Sequence, residues 1–284
     1  MAINQAQLLH LLAEYRRENW KGIQTPERQQ KIIRGFADES EPRILARIAS
    51  AWSLPPVPKI LDLGSGVGSF VVACRKSGLQ AFGVEPDRIG QGASLTSLQI
   101  AGKRLDSLPF AAATGEQLPF RDATFDLVVL DQVLEHVQDQ RSVVSEAFRV
   151  VKPSGAIYIA CPNYLRFYES HYGLGFFPLM PKRLAAWYLR RRGRDPVLIW
   201  QLTYTTNWRV RKLLKPLKSR FIDLNERGLL RKCRGLEGNQ ASPRARAVRH
   251  LMKIPGVSKV VLAIASLYMR LCEGGCEVVV FKEA

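Results

Sequence analysis

The sequence predicts an α/β fold, a parallel sheet of seven strands with helices on both faces, carrying a helical N-terminal extension and a basic helical insertion. Three observations predict it. From Lys59 onward, short apolar runs alternate with amphipathic stretches, the rhythm of strand, helix, strand. A glycine-rich turn, Gly64-Ser65-Gly66-Val67-Gly68, follows the first of those runs directly. The positive charge is confined to one part of the chain: residues 181–259 hold 21 Lys or Arg against 4 acids, and the remainder balances at 21 against 21.

The elements follow in order. With 284 residues, 46% of them apolar, the chain can bury a full core and exceeds one minimal α/β domain. Residues 1–54 read as helices, with Leu8, Leu9, Leu11 and Leu12, then Ile32, Ile33, Phe36, Ile44, Leu45 and Ile48, at helical spacing. Pro55, Pro56 and Pro58 end that rhythm. Strands are expected at 60–63, 81–84, 110–113, 127–130 and 156–160, then at 221–224 and 277–281, where Val278-Val279-Val280 is strongly β-prone. Helices fit near 68–77, 87–101 and 141–151. The expected partition is a helical segment 1–54, a nucleotide-binding core 55–162, an acceptor-binding or lid insertion 163–206, and a completion of the sheet by 207–284, with a C-terminal helix and strand after an irregular stretch at 225–245.

Composition excludes several classes. The five cysteines, Cys74, Cys161, Cys233, Cys272 and Cys276, form neither a disulfide framework nor a zinc ligand set, so reduced thiols and no metal are expected. The N-terminus lacks the basic start and apolar run of a secretion signal, and the longest apolar run, 260–269, is about half the length of a membrane span. A cytoplasmic protein is expected, and the basic segment adds a peripheral association with the inner face of a membrane. Its positive field suits anionic membranes, phosphate-bearing substrates or nucleic acid.

A strand, a glycine turn and a helix present free backbone N–H groups to a ligand. The dinucleotide pattern wants glycine at 64, 66 and 69, but position 69 is serine, which argues against a nicotinamide cofactor. Glu85, at the end of the next strand in Gly83-Val84-Glu85-Pro86, can accept from both hydroxyls of a ribose.

These segments, with Leu118-Pro119-Phe120, Phe125-Asp126-Leu127-Val128, Leu134-Glu135-His136-Val137 and Arg149-Val150-Val151-Lys152-Pro153-Ser154-Gly155, resemble the ordered motifs of class I S-adenosylmethionine-dependent methyltransferases. They are most similar to the subgroup with the ubiquinone and menaquinone biosynthesis enzymes, over residues 59–163. The resemblance implies a seven-stranded Rossmann-like sheet with S-adenosylmethionine across the ends of its first two strands. It assigns Gly64 and Gly66 to the methionine part, Ser65 between them to the cofactor, Asp62 to support of that turn, Glu85 to the ribose, and Pro86 and Leu118 to the adenine. Thr114 stands where the family often has aspartate, which shifts adenine recognition to the Gly115 backbone or to Glu116; Asp131 and Gln132 face the methionine end.

Methyl transfer is an in-line displacement that needs alignment above all, with a base added where an acceptor hydroxyl must lose its proton. His136, after the fourth strand, and His171, in the insertion, are the catalytic residues expected; His10 and His250 lie far from the site. The insertion continues with Phe176, Phe177, Trp187 and Tyr188 beside Arg190, Arg191 and Arg192, the mixture an interfacial helix uses on anionic lipid, and the surface expected is 181–220. The expectation is methyl transfer to an oxygen of a lipid-linked, glycan-type or other small-molecule acceptor. The rivals are an RNA methyltransferase, for which no RNA-binding module is visible, and a catalytically silent methyltransferase-like binding subunit.

Overall fold

The computed structural model describes residues 3–20, 22–37, 43–86, 97–105, 109–217, 219–227 and 275–283, together with 260, 263 and 267. Three helices come first: α1 (Gln5–Asn19), α2 (Pro26–Ala37) and α3 (Arg43–Ala49). A reciprocal cap starts α1, where Asn4 Oδ1 accepts from Gln7 N at 2.9 Å and Gln7 Oε1 accepts from Asn4 N at 3.1 Å. The alternating part then runs β1 (Lys59–Leu63), α4 (Ser69–Lys76), β2 (Gln80–Glu85), α5 (Ser97–Lys103), β3 (Phe110–Ala112), β4 (Phe125–Asp131), α6 (Gln140–Val150) and β5 (Val151–Pro162).

The insertion carries a two-stranded ribbon, β6 (Tyr168–Glu169) and β7 (Leu174–Gly175), and two helices, α7 (Lys182–Arg191) and α8 (Val197–Gln201). Then come α9 (Asn207–Leu214), β8 (Ser219–Asp223) and β9 (Gly275–Lys282). The seven-stranded sheet has the order β3-β2-β1-β4-β5-β9-β8, parallel through β5 with β9 antiparallel to both of its neighbours.

Seven strands fall where the apolar runs place them. β5 is longer than its run at 156–160, because pairing with β4 begins at Val151 and pairing with β9 extends to Pro162. The stretch expected to be irregular, 225–245, opens on a helical turn at 224–227; its remainder, residues 87–96 of the helix expected at 87–101, Cys233, Cys272, His250 and most of the C-terminal helix lie outside the described residues. No described helix is long and apolar enough to cross a membrane.

β1 and β4 are buried along almost their whole length, as strands covered on both faces must be. Their alternate residues feed two cores. Leu61, Leu63, Val128, Leu130, Ile157 and Val280 pack with Val143 and Ala147 of α6; Ile60, Leu127, Val129, Ala156 and Val279 pack with Ile48, Val71 and Cys74 on the opposite face. The insertion has its own core, in which Tyr164, Tyr172, Phe176, Met180, Leu189 and Ile199 meet Ile23. Phe176 is therefore a core residue, a correction to its expected place at a lipid surface, whereas Phe177 is exposed.

The winding of the sheet reverses at β1, which has β2 on one side and β4 on the other. Outside the carboxyl ends of two such strands the connections diverge and leave a crevice. The residues that open onto it are those after Leu63 and after Asp131.

Candidate functional site

Beyond Leu63 the chain turns through Gly64, Gly66 and Gly68, with φ of 77°, 51° and 77°. In that region a Cβ is penalised, which is why glycine stands there. At Gly64 a Cβ would also come within 2.6 Å of Val133 Cγ2, whereas at Gly66 it would meet nothing within 4 Å and would project into open space. Val84 O accepts from Gly64 N at 2.7 Å and from Ser65 N at 2.9 Å, which ties the turn to the end of β2. Glu85 Oε2 accepts from Gly66 N at 3.0 Å. The glycine turn and the acid that spacing alone paired with it are one hydrogen-bonded unit. Ser65 Oγ, buried beside them, has no hydrogen-bond partner among the described residues.

Carboxylates line the crevice. Asp62 is buried, and burial followed by the charges of Asp131 and Glu85 raises its carboxyl well above the usual range. Asp131 is open to solvent yet crowded by surrounding protein, as on the wall of a cleft; that crowding raises its carboxyl, against a hydrogen bond from the Gln132 side chain. Gln132 itself has φ 58° at the strand end. Such mutual repulsion is relieved by a bound cation. Beyond the end of β3, a Cβ at Gly115 would come within 3.0 Å of Leu63 and 3.2 Å of Val143, Glu116 is half-buried, and Leu118 is buried with its N–H on Glu146. Pro86 is half-buried after Glu85.

The insertion pins the loop after β4. Thr203 N donates to Glu135 O at 2.7 Å, and Thr203 Oγ1 donates to Val137 O at 3.1 Å. Here His136 and His171, 35 residues apart, meet with Nε2 atoms 3.3 Å apart and their rings edge to face. His171 Nδ1 lies 2.7 Å from Glu169 Oε1, and Glu169 also accepts from Tyr172 N at 2.7 Å and Tyr164 Oη at 3.1 Å. Burial pushes the Glu169 carboxyl up, but these donors, His171 foremost, hold it below the ordinary range. An ionised Glu169 draws the imidazole proton to Nδ1 and leaves the Nε2 lone pair of His171 facing His136.

Glu135, between these histidines and the core, is fully buried, and neither of its oxygens has a hydrogen-bond partner on another described residue. Burial pushes its carboxyl up to about 7, opposed by its own backbone amide and by His171. The N-terminal helices close over this end: Trp20 stacks on His171, Gln24 Nε2 donates to His171 O, and Arg28 Nη2 donates to Ser170 O at 2.5 Å.

A methyltransferase-domain family model matches residues 61–159. An uncharacterized methyltransferase of Mycobacterium tuberculosis is 32% identical over 193 residues, 65% of this chain and 68% of that protein. The chain belongs to the class I S-adenosylmethionine-dependent methyltransferases. A demethylmenaquinone methyltransferase of Streptomyces griseus is 36% identical over 112 residues, 39% of this methyltransferase and 46% of that one. Among solved structures, phosphoethanolamine N-methyltransferase 2 of Haemonchus contortus in complex with S-adenosyl-L-methionine shares the fold, with a TM-score of 0.50 at 16% identity over 85% of this chain; the match spans about half (52%) of that longer chain.

The cofactor of the methyltransferase is S-adenosylmethionine, and the residues at the crevice fit it. The space before Gly66, the unpartnered Ser65 hydroxyl and the Glu85 carboxylate suit a nucleoside with a polar tail, and the Asp62, Glu85 and Asp131 cluster suits its sulfonium and ammonium charges. When bound, the cofactor supplies an electrophilic methyl carbon on sulfur. Asp62, Gly64, Ser65, Gly66, Glu85, Asp131 and Gln132 converge on the crevice, and Pro86, Gly115 and Glu116 flank it beyond β2 and β3. Sequence reasoning missed Glu135, Glu169 and Trp20. Glu135 was visible beside His136, and Glu169 stands two residues before His171, but nothing in the sequence signals that Trp20 stacks on His171.

Proposed function

We propose that the methyltransferase acts on a hydroxyl oxygen of a lipid-linked, glycan-type or other small-molecule acceptor, with His136 and His171 engaging that hydroxyl. The observation that carries this reading is the pair of imidazole nitrogens 3.3 Å apart just beyond β4, oriented on one side by Glu169. A free amine already offers a lone pair to an in-line displacement, whereas a hydroxyl is a weak nucleophile until its proton is removed or its oxygen is polarised. A pair of imidazoles there, one of them oriented by Glu169, therefore favours oxygen. Glu85 and the turn after β1 hold the ribose and methionine parts, and the ribbon β6–β7 shapes the acceptor pocket.

A lipid-linked acceptor is supported by α7. Its buried face is Ala185, Ala186 and Leu189, and its exposed face carries Leu184 and Trp187 among Arg183, Arg190 and Arg191, the composition that suits an anionic membrane surface. His136→Ala and His171→Ala should each lower turnover by about 10²- to 10⁴-fold with cofactor affinity nearly unchanged. Turnover within a few-fold of wild type in both variants overturns the reading. Lipid extracts from cells with and without the gene, compared by mass spectrometry for partners differing by one CH₂, identify the acceptor.

A further inference from the structure

The two histidines account for each other, but nothing accounts for Glu135. A hydrogen bond between the imidazoles would satisfy both rings and still leave a fully buried carboxyl with no partner on another described residue. Protonating Glu135 does not resolve this, since its O–H would then have no acceptor.

We propose that Glu135, His136 and His171 form a binding site for one divalent transition-metal ion, with an open position that an acceptor oxygen can fill. This deepens the reading above and rests on its placement of the acceptor at the two histidines. The three potential ligand atoms all lie within 4.8 Å of one another. Two nitrogens bound to one zinc ion at about 2.0–2.1 Å and the tetrahedral angle stand about 3.3–3.4 Å apart, and the two Nε2 atoms are separated by 3.3 Å.

The surroundings match a metal centre as well as the ligand atoms do. A ligating histidine commonly donates its second ring N–H to a carboxylate, which fixes the tautomer and raises the basicity of the ligating nitrogen. Glu169 does this for His171, and Glu169 is in turn held by Tyr164 and the Tyr172 amide. The charges also close: two buried carboxylates, Glu135 and Glu169, balance one dication, so neither is left uncompensated in the interior. Two imidazoles and one carboxylate select zinc and its transition-metal neighbours over magnesium or calcium, which prefer all-oxygen shells. Three protein ligands leave room for one from outside, the pattern of catalytic rather than structural sites. Stacking of Trp20 on His171 shields one side of the site.

The test uses the full chain without a polyhistidine tag, stripped with a chelator and titrated with Zn²⁺ and separately with Co²⁺. The expected result is one equivalent bound, with the visible absorption of a low-coordinate Co²⁺ complex. Glu135→Gln and His171→Gln should each weaken binding by at least about 10- to 100-fold, and Glu169→Gln by a similar factor through His171 alone, all with unchanged circular dichroism. His171→Gln lies on the ribbon loop and serves where Glu135→Gln does not fold. No saturable equivalent in the wild-type chain, or wild-type affinity in every folded variant, overturns the site. The two readings separate cleanly. Turnover lost in the histidine variants of a chain that binds no metal overturns the metal site and leaves the oxygen acceptor standing. Metal bound by Glu135, His136 and His171, with turnover indifferent to the histidines, supports the site and overturns the acceptor reading.

Discussion

At the residue scale the cofactor end rests on a few atoms. Glu85 accepts from Gly66 N, and the proposed reading gives its carboxylate the ribose hydroxyls. Glu85→Ala should weaken S-adenosylmethionine binding by about 1.5–3 kcal/mol, the range for hydrogen bonds to a charged group, in a chain that stays folded. Unchanged affinity in calorimetry would show that the ribose is held elsewhere. The two glycines before it should respond differently. Gly64→Ala brings a Cβ against Val133 at a positive φ, so its main cost is stability. Gly66→Ala adds only the left-handed backbone cost, about 1–2 kcal/mol, but places a methyl in the space before the turn, so cofactor affinity should fall by more than thermal stability does. These positions were legible because left-handed turns leave glycines at fixed offsets. Glu135 was not, because a carboxylate in a motif looks the same whether buried and unpartnered or on the surface.

At the scale of elements, the glycine turn is held from outside its own strand and helix. Arg104, buried just after α5, donates from Nη1 to Val67 O at 2.8 Å and to Ser69 Oγ at 3.1 Å, and from Nη2 to Phe36 O at 3.0 Å. One guanidinium thus joins α2, the turn and α5. Leu8, Leu12 and Ile33 pack beneath it with Val67 and Ile100. Arg104→Met keeps the apolar stem but removes the guanidinium donor from the buried Val67 O and leaves Phe36 O with the Ser69 hydroxyl alone. It should cost on the order of 2–3 kcal/mol, lower the melting temperature by roughly 4–10 °C, and weaken cofactor binding by loosening Val67. A variant that melts like the wild type would show that the turn holds itself. The periodicity of α1 and α2 announced helices, but helical spacing identifies only which face is buried and not the surface it meets.

At the scale of the whole molecule, the net charge of +17 equals the excess carried by residues 181–259. The described part of that segment places α7, with exposed Trp187, next to α8, with exposed Trp200, and Lys182 Nζ donates to Trp200 O at 3.0 Å. Arg191 and Arg192 lie over the rings of Trp187 and Tyr188. If this face meets an anionic bilayer, binding to vesicles should require acidic lipid and fall steeply with salt, since screening acts over about 8 Å at physiological ionic strength. Tryptophan emission should move to the blue as rings enter the headgroup region. Changing Arg190, Arg191 and Arg192 together to Gln should reduce vesicle binding and leave activity on a detergent-solubilised acceptor intact. Flotation of the triple variant with acidic vesicles, or a preference of the wild-type chain for RNA at matched salt, overturns the membrane face.

The sequence by itself determined the sheet, its strand positions, the glycine turn with Glu85, and the methyltransferase family. Those features rest on interactions between residues near each other in the chain, or on patterns that repeat with the period of a strand or helix. Only the tertiary structure decided that Phe176 is core and Phe177 surface, that Trp20 and Gln24 cover His171, and that Glu135, His136, Glu169 and His171 share one site. Each of these depends on where the insertion and the N-terminal helices come to rest across the end of β4. That placement is set by the summed packing of Tyr164, Tyr172, Phe176 and Ile23 rather than by any local signal.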